Sequence, residues 1–310
     1  MTPEISIIIP IYNEELNINQ LYSRLVNVVK AITENYELLF VNDGSKDNSL
    51  LLIRNICITD PKVKYIDLSR NFGHQIAVCA GLDKCVGNSV VIIDADLQDP
   101  PELINDLFKK LKEGYEVVYA KRRSRKGEGF FKKYTAKVFY RLLQKITNIN
   151  IPVDTGDFRI IDRKIVDLLK QMPEQHKYLR GQISWLGFKQ TYVEYDRDPR
   201  NAGKTGYTFR KMMKFALDGI TSFSDFPLKV ATIAGFVVSG ISFILMLYAL
   251  YSRFISRNYQ PGWTSLMLTV LFIGGIQLIG IGIIGEYISR ISTDVKNRPV
   301  YVIGSTNIKD

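Results

Sequence analysis

Val90-Val91-Ile92-Ile93-Asp94-Ala95-Asp96 is the stretch on which the fold class turns. A short β-branched run that ends in turn residues reads as a buried strand, and this one ends in two carboxylates one residue apart, ahead of the Pro-led segment Asp99-Pro100-Pro101-Glu102. In open α/β sheets, ligands gather beyond the carboxyl ends of such strands. Hard oxygen ligands placed there suit Mg²⁺ or Mn²⁺, ions that keep waters and share a phosphate-bearing ligand with one or two carboxylates. The pattern points to a nucleoside diphosphate. The alternative is that Asp94 and Asp96 only cap the following helix, but Asp99, directly before Pro100, already suits that role.

Outward from this strand, apolar runs alternate with helix-like stretches: Ile5 to Ile9, Leu38 to Val41, Val63 to Leu68, Val90 to Ile93 and Val117 to Ala120. Such alternation predicts βαβ units and a mainly parallel sheet covered by helices. Pro10-Ile11-Tyr12-Asn13-Glu14 follows the first run and Val41-Asn42-Asp43-Gly44-Ser45 the second, so both are expected at the sheet edge that carries Asp94. There Tyr12 is placed to cover a base and Asp43 to accept its ring N–H. Asn-Asp-Gly-Ser is also ordinary turn chemistry, so the convergence of three loops carries more than any one of them.

The chain sets 41 Lys and Arg against 31 Asp and Glu, a formal charge of +10 that implies an anionic partner: nucleic acid, acidic lipid or a phosphorylated substrate. Cys57, Cys79 and Cys85 form no CxxC pair, and His74 and His176 are the only histidines. This argues against a zinc site or a disulfide framework and fits a reducing cytosol. Ile5 to Ile11 is too short for a signal peptide and runs into Asn13-Glu14-Glu15.

The C-terminal third is of another class. Val230 to Tyr251 is 22 residues without a charge and Thr264 to Ile284 is 21, broken only by Gln277, and each spans a bilayer core if helical. The outer flanks carry Arg210, Lys211, Lys214, Lys229, Arg290, Lys296 and Arg298, whereas the connector carries Arg253 and Arg257. That asymmetry predicts an inner-membrane protein with both flanks, the catalytic domain and both termini in the cytoplasm. The expected organisation is a catalytic domain over 1–206, an interfacial region over 207–229, spans over 230–251 and 264–284 joined by 252–263, and a tail over 285–310.

Between the two parts, Lys121 to Gly129 reads as a basic loop. Phe130 to Ile149 then sets Phe131, Val138, Phe139, Leu142, Leu143 and Ile146 near helical spacing among Lys132, Lys133, Lys137, Arg141 and Lys145. Periodicity alone fits a helix in a membrane interface and a core-facing helix equally. Phe209 to Phe226 is a second basic amphipathic stretch. Basic residues crowded near membrane segments favour lipid over nucleic acid as the anionic partner.

Two motifs mislead. Gly203-Lys204-Thr205 imitates the end of a phosphate-binding P-loop, but Asp198 stands where its first glycine belongs. Gly280 to Gly285 satisfies GxGxxG inside an apolar span, where small residues suggest close helix packing against Gly235, Ser239 and Gly240, or self-association. Thr155-Gly156-Asp157-Phe158-Arg159 offers a further carboxylate after an expected loop, and by itself reads as a surface Asp or a helix cap as readily as a site.

Taken together, Ile8-Ile9-Pro10-Ile11-Tyr12-Asn13-Glu14, Val41-Asn42-Asp43-Gly44-Ser45, Ser69-Arg70-Asn71-Phe72-Gly73-His74-Gln75 and Asp94-Ala95-Asp96-Leu97-Gln98-Asp99-Pro100-Pro101-Glu102 resemble glycosyltransferase family 2. With the paired spans, the resemblance is to its polyprenyl-phosphate members, the dolichol-phosphate mannosyltransferases and bacterial bactoprenol glucosyltransferases. It implies a GT-A fold, a nucleotide-sugar donor, a divalent cation (Mg²⁺ or Mn²⁺) and a lipid-phosphate acceptor. It also implies inverting transfer of a hexose, glucose from UDP-glucose first, with mannose, N-acetylglucosamine or an aminoarabinose derivative behind it. A membrane-tethered nucleotide-sugar binding protein without catalysis is the alternative of another class. By the same resemblance Pro10, Tyr12, Glu14, Asp43, Asp94, Ala95, Asp96 and Arg200 hold the donor, and Asp94, Asp96 and Gln98 serve the metal. Arg122, Lys132, Thr135 and Lys204 surround the acceptor, and Asp157 falls at the catalytic carboxylate. The Gln-x-x-Arg-Trp signature of processive members is missing, with only Arg180 and Trp185 nearby, which disfavours polymer synthesis.

Overall fold

The computed structural model describes residues 2–123, 155–196, 226–251 and 262–308. The chain divides into two units, residues 1–211 together with 298–310, and residues 212–297.

The first unit is built on one eight-stranded sheet. Its strands are β1 (Ile5–Ile11), β2 (Tyr36–Asn42), β3 (Val63–Leu68), β4 (Ser89–Ile92), β5 (Val117–Arg122), β6 (Thr155–Asp162), β7 (Gln190–Tyr195) and β8 (Ile303–Thr306). Their order is β7-β5-β6-β4-β1-β2-β3-β8. The five apolar runs of the sequence are β1 to β5, and β1 pairs parallel with β2 and with β4. β6 and β8 run antiparallel to their neighbours.

Alternation along β1 shows how the layers form. Ile5, Ile7, Ile9 and Ile11 face one apolar cluster with helices α1 (Ile18–Lys30), α2 (Ser49–Thr59) and α4 (Ile104–Lys112). Ile8 faces the other, with α3 (His74–Lys84), α5 (Arg163–Gln171) and α6 (Leu179–Trp185). A sheet buried on both faces needs near-continuous apolar strands, and β1 and β2 are buried at every residue. Helix α3 lies close over β1: a Cβ on Gly81 would stand 2.4 Å from Ile8 Cγ2. That approach brings the start of α3 to the carboxyl edge of the sheet.

Thr155 to Asp162, whose Asp157 read by itself as a surface Asp or a helix cap as readily as a site, is a strand interior to the sheet. Its alternation is disguised, because Phe158 and Ile160 face one cluster while Asp157 and Arg159 share the opposite face with Ile161. The expected basic loop also starts later, since Lys121 and Arg122 close β5.

The tail is not free. β8 pairs with β3, Tyr301, Ile303 and Ile308 pack on the second cluster, and Tyr301 bonds Asp83 at 2.9 Å. Beyond β8, the Asn307 side chain accepts the Tyr65 N–H (2.8 Å) and donates to the Val63 carbonyl (3.2 Å), continuing the ladder along the edge of β3.

The second unit, within its described residues, consists of α7 (Phe226–Tyr251) and α8 (Trp263–Val295), packed against one another. Phe226–Leu245 and Phe272–Val295 are long and apolar enough to cross a membrane, with mean hydropathy of 2.0 and 1.5. The helices reach beyond the expected spans at 230 and 284. Among the described residues the expected glycine packing is not seen: a Cβ on Gly235, Gly240, Gly280, Gly282 or Gly285 would meet nothing of them within 4 Å. The amphipathic stretches Phe130 to Ile149 and 209–225, and Gly203-Lys204-Thr205, lie outside the described residues.

Asn307→Ala is expected to cost the protein about 1–2 kcal/mol, because it strips partners from one amide and one carbonyl on the β3 edge. Deleting 301–310 is expected to cost more, since it also uncovers apolar surface. Thermal unfolding of the purified full chain and both variants measures this; an unchanged midpoint for the deletion would show β8 to be dispensable.

Candidate active site

The chain leaves β1 toward β2 and β3 on one side and returns to β4 on the other, so the carboxyl ends of β1 and β4 bound a crevice at a reversal of strand order. The loops after β1 and β2 are clasped across it. Asn13, at φ 56°, donates its N–H to Ser45 Oγ (3.0 Å), and its side-chain oxygen accepts the Lys46 N–H (2.8 Å). The Glu14 N–H bonds Ser49 Oγ (3.0 Å), and Glu15 accepts the Asn48 N–H (2.9 Å). Tyr12 stands beside this clasp, 45 % exposed, with its ring available for stacking. Glu14 accepts from Asn17 Nδ2 at 2.6 Å, Ala95 is buried, and Pro10 is buried within β1 opposite Val41.

Asp43, read as the acceptor of a base N–H, has protein partners for both of its oxygens. It is buried, and its two oxygens accept the N–H groups of Phe72 (2.7 Å) and Gly73 (2.9 Å). Gly73 turns the chain at φ 104° into α3. Asp43 therefore fixes where α3 begins, and the first residue of α3 is His74.

Antiparallel pairing sets the centre of the site. β4 and β6 are in register at Ile92 and Arg159, and continuing that register sets Asp94 opposite Asp157. His74 Nε2 lies between them, 3.2 Å from Asp157 Oδ2 and 3.5 Å from Asp94 Oδ1. Asp157 is also held by Arg159 at 2.7 Å, by Gln75 Nε2 at 3.4 Å and by Arg180 at 3.6 Å. Burial works to raise the Asp157 pKa, but the hydrogen bond from His74 and the guanidinium groups of Arg180 and Arg159 outweigh it and hold this carboxyl far below the usual carboxylate range. Asp94 goes the other way. Burial raises its pKa, His74 opposes this, and Asp157, Asp99 and Asp96 add to the burial, leaving it at about 6. Burial would lower the His74 pKa, but Asp94 and Asp157 overcome that and lift it to about 9.

The segment after Asp94 is shaped by its own side chains. Asp96 is buried and accepts the Gln98 N–H at 3.2 Å across Leu97, whose φ is 58°. Asp99 is not the helix cap expected of it. The short 3₁₀ turn Pro101–Leu103 has no side-chain cap, and the fully buried Asp99 instead accepts from the Tyr195 hydroxyl and lies 3.7 Å from Arg122. Arg122 also donates to the Tyr195 hydroxyl (3.3 Å), so its guanidinium is braced from β7 and from the Asp94 loop. Lys132, Thr135, Arg200 and Lys204 lie outside the described residues.

The sequence reading did not assign roles to His74, Gln75, Arg159 or Arg180, which surround Asp157. A signal for Arg159 was present: on a strand, residues two apart share a face, so a buried Arg two beyond an Asp is its natural partner. His74, one of two histidines, stood in a matched motif.

Asp94 Oδ1 is buried and has no hydrogen-bond partner among the described residues, and its carboxyl carries a charge that burial opposes. A divalent cation on Asp94 and Asp96 relieves both conditions. Among the described residues no group of three or more His, Cys, Asp or Glu is arranged to hold a metal ion unaided.

Because the folded pKa of Asp94 lies above its ordinary 3.8, the cost of its charge is absent below pH 4 and fully present above about pH 6. Asp94→Asn is therefore expected to stabilise the cation-free protein at neutral pH by about 1–3 kcal/mol, with the gain fading as pH falls toward 4. Thermal unfolding in chelator across pH measures it; a lower midpoint for the variant at neutral pH would contradict the burden assigned to this carboxylate.

Residues 6–169 match glycosyl transferase family 2, and residues 226–291 match the GtrB C-terminal hairpin. The chain is 55 % identical over 298 residues to the uncharacterized glycosyltransferase YkcC of Bacillus subtilis (strain 168), covering 96 % of this chain and 92 % of that one. It is 41 % identical over 300 residues to the prophage bactoprenol glucosyl transferase homolog of Escherichia coli (strain K12), covering 97 % and 98 %. Among solved structures it is similar to glucosyl-3-phosphoglycerate synthase of Mycobacterium tuberculosis, at 19 % identity and a TM-score of 0.49 over 71 % of this chain and 76 % of that one. The chain belongs to glycosyltransferase family 2, with a GT-A catalytic sheet and a C-terminal hairpin of the GtrB type.

Proposed function

We propose that this protein transfers glucose from UDP-glucose to a polyprenyl phosphate, with inversion, making a lipid-linked sugar for the cell envelope. The observation that carries this reading is the cluster of Asp94, His74 and Asp157 at the strand-end crevice of a chain that also has two apolar, membrane-length helices. Likeness to bactoprenol glucosyl transferases over nearly the whole chain supports the sugar and the acceptor.

In the proposed reaction an acceptor phosphate oxygen attacks the anomeric carbon; the bond from that carbon to the diphosphate oxygen breaks, and UDP leaves with the electron pair. A divalent cation, Mg²⁺ or Mn²⁺, supplies charge stabilisation to the diphosphate when bound. Asp94 and Asp96 are the residues to hold it, with Gln98 beside them. Tyr12 stacks on the uracil, the clasped loops after β1 and β2 shape its pocket, and Asp43 acts from behind by setting the start of α3. Arg122, braced by Asp99 and Tyr195, is assigned to the acceptor phosphate with Lys132, Thr135 and Lys204, and Arg200 to the donor.

Asp157 is poorly suited to act as a base. A good general base has a pKa near the working pH, whereas three cationic or donor side chains hold Asp157 well below it. The acceptor needs none either, since a phosphate monoester with a second pKa of about 6 is already mostly dianionic at neutral pH. The role assigned to Asp157 is to order Arg159, Arg180 and His74 around the reacting phosphates.

The sheet also bears on topology. β8 follows the second long helix and β3 precedes the first, yet they are hydrogen-bonded neighbours, and two strands of one sheet share one side of a bilayer. On this reading both ends of the hairpin lie in one compartment, and the excess of Lys and Arg on the outer flanks favours the cytoplasm of a bacterial inner membrane.

Incubating membranes that contain the protein with a panel of labelled nucleotide sugars is expected to place label in an organic-extractable lipid, from UDP-glucose foremost, with chelator abolishing transfer and Mg²⁺ or Mn²⁺ restoring it. Mass analysis of the lipid identifies the sugar; transfer from no donor would favour a binding protein without catalysis. Asp157→Asn is expected to lower turnover about 10- to 100-fold without changing the shape of its pH profile. A lost basic limb in that profile would restore Asp157 as the base, and near-normal turnover would remove it from the mechanism.

A further inference from the structure

Helix α3 begins at His74, and the start of a helix is a poor place for a side chain that becomes cationic, because the dipole there favours negative charge. The position is nonetheless fixed from behind by Asp43 through the amides of Phe72 and Gly73. What this achieves lies in front of the ring. A single nitrogen, Nε2, faces two carboxylates, at 3.2 Å from Asp157 and 3.5 Å from Asp94. One N–H cannot serve both well: the shorter distance is a hydrogen bond and the longer is at its limit. Asp157 has Arg159, Arg180 and Gln75 besides, whereas Asp94 Oδ1 has no hydrogen-bond partner among the described residues.

We infer that His74 is a positioning residue that links the donor side of the site to the acceptor side: its Nε2–H, bonded to Asp157 with Asp94 Oδ1 at the limit of reach, would be committed wholly to Asp157 once Asp94 holds a divalent cation. A cation held by Asp94 would compete for the lone pairs of that carboxylate, leaving Asp157 as the acceptor for the Nε2–H. Asp157, and with it Arg159 and Arg180, is thereby fixed as the donor arrives. The inference rests on Asp94 being a cation ligand, as proposed above. It requires Nε2 to carry hydrogen, and it holds for either charge state of the ring.

With two histidines in the chain, ¹⁵N-histidine labelling of the full-length protein in detergent yields two rings to follow, His74 and the exposed His176. Addition of Mg²⁺ with UDP is expected to shift the Nε2 resonance of His74 and leave His176 in place. UDP binding seen by calorimetry without a His74 shift overturns the inference; no UDP binding at all overturns the donor-site reading and the inference with it. Turnover gives a second test. A glutamine amide nitrogen reaches the Nε2 position and an asparagine amide nitrogen only the Nδ1 position. His74→Asn is expected to lower kcat about 10- to 100-fold with UDP affinity nearly unchanged, and His74→Gln to recover most of it. A role confined to starting the helix would treat the two amides alike, so equal activity of the two variants overturns the inference. Should His74→Asn fail to fold, the resonance shift in the unmutated chain still decides.

Discussion

The pairing of β6 against β4 is the constraint from which the site follows. It sets two carboxylates, Asp94 and Asp157, across from each other in a largely buried cleft. Unit charges 4 Å apart repel by about 4 kcal/mol at an effective dielectric of 20, so the arrangement persists only with cations at hand. The chain supplies them from three elements: His74 at the start of α3, Arg159 on β6 and Arg180 on α6. Arg159 is 1 % exposed, and a buried guanidinium needs its anion as much as the anion needs it. The two carboxylates come out unequal. Asp157 is saturated with donors, while Asp94 keeps a buried oxygen that has no hydrogen-bond partner among the described residues. That inequality underlies the different roles proposed for the two carboxylates.

The donor side is organised without charge neutralisation. The loops after β1 and β2 donate backbone N–H groups to each other's side chains, which leaves Tyr12 as the exposed surface between them. Asp43 ties this side to the centre, because the amides it accepts belong to the turn that delivers His74. Gly44 explains why that turn comes so near: its φ is 65°, and a Cβ there would stand 2.6 Å from the backbone of Arg70 and Asn71. The loop of β2 and the loop of β3 meet backbone to backbone, and only glycine leaves room.

The first five strands were readable in the sequence: four from runs that are apolar or nearly so, as burial on both faces requires, and β3 from apolar residues set among Lys64 and Asp67. β6 was not, since Asp157 and Arg159 break its pattern by occupying one face with an ion pair whose partners are distant in sequence. β7 was missed because a half-exposed edge strand carries a weak pattern, and β8 because four residues at the far end of a hairpin give no local sign of where they pair. The Asp94 and Asp96 pair was legible for the opposite reason: its chemistry is local, at the end of a run that announces itself. His74 shows the limit of motif reading. It stood within a matched stretch, but its meaning depends on Asp94 and Asp157, which the fold brings to it from two other strands.

The catalytic sheet is discontinuous in sequence, and this bears on how the molecule is completed. Residues before the hairpin supply seven strands, and the eighth comes after it. Chains emerge N-terminus first, so β3 presents an open edge until the hairpin has been made. If only one of the two helices crossed the bilayer, β8 would be left on the far side and that edge would stay bare. If both cross, β8 returns to the side where β3 waits, and Asn307 closes the last amide and carbonyl of the edge. Completion of the sheet is thus compatible with two crossings or none and incompatible with one, because β8 must reach the side where β3 lies.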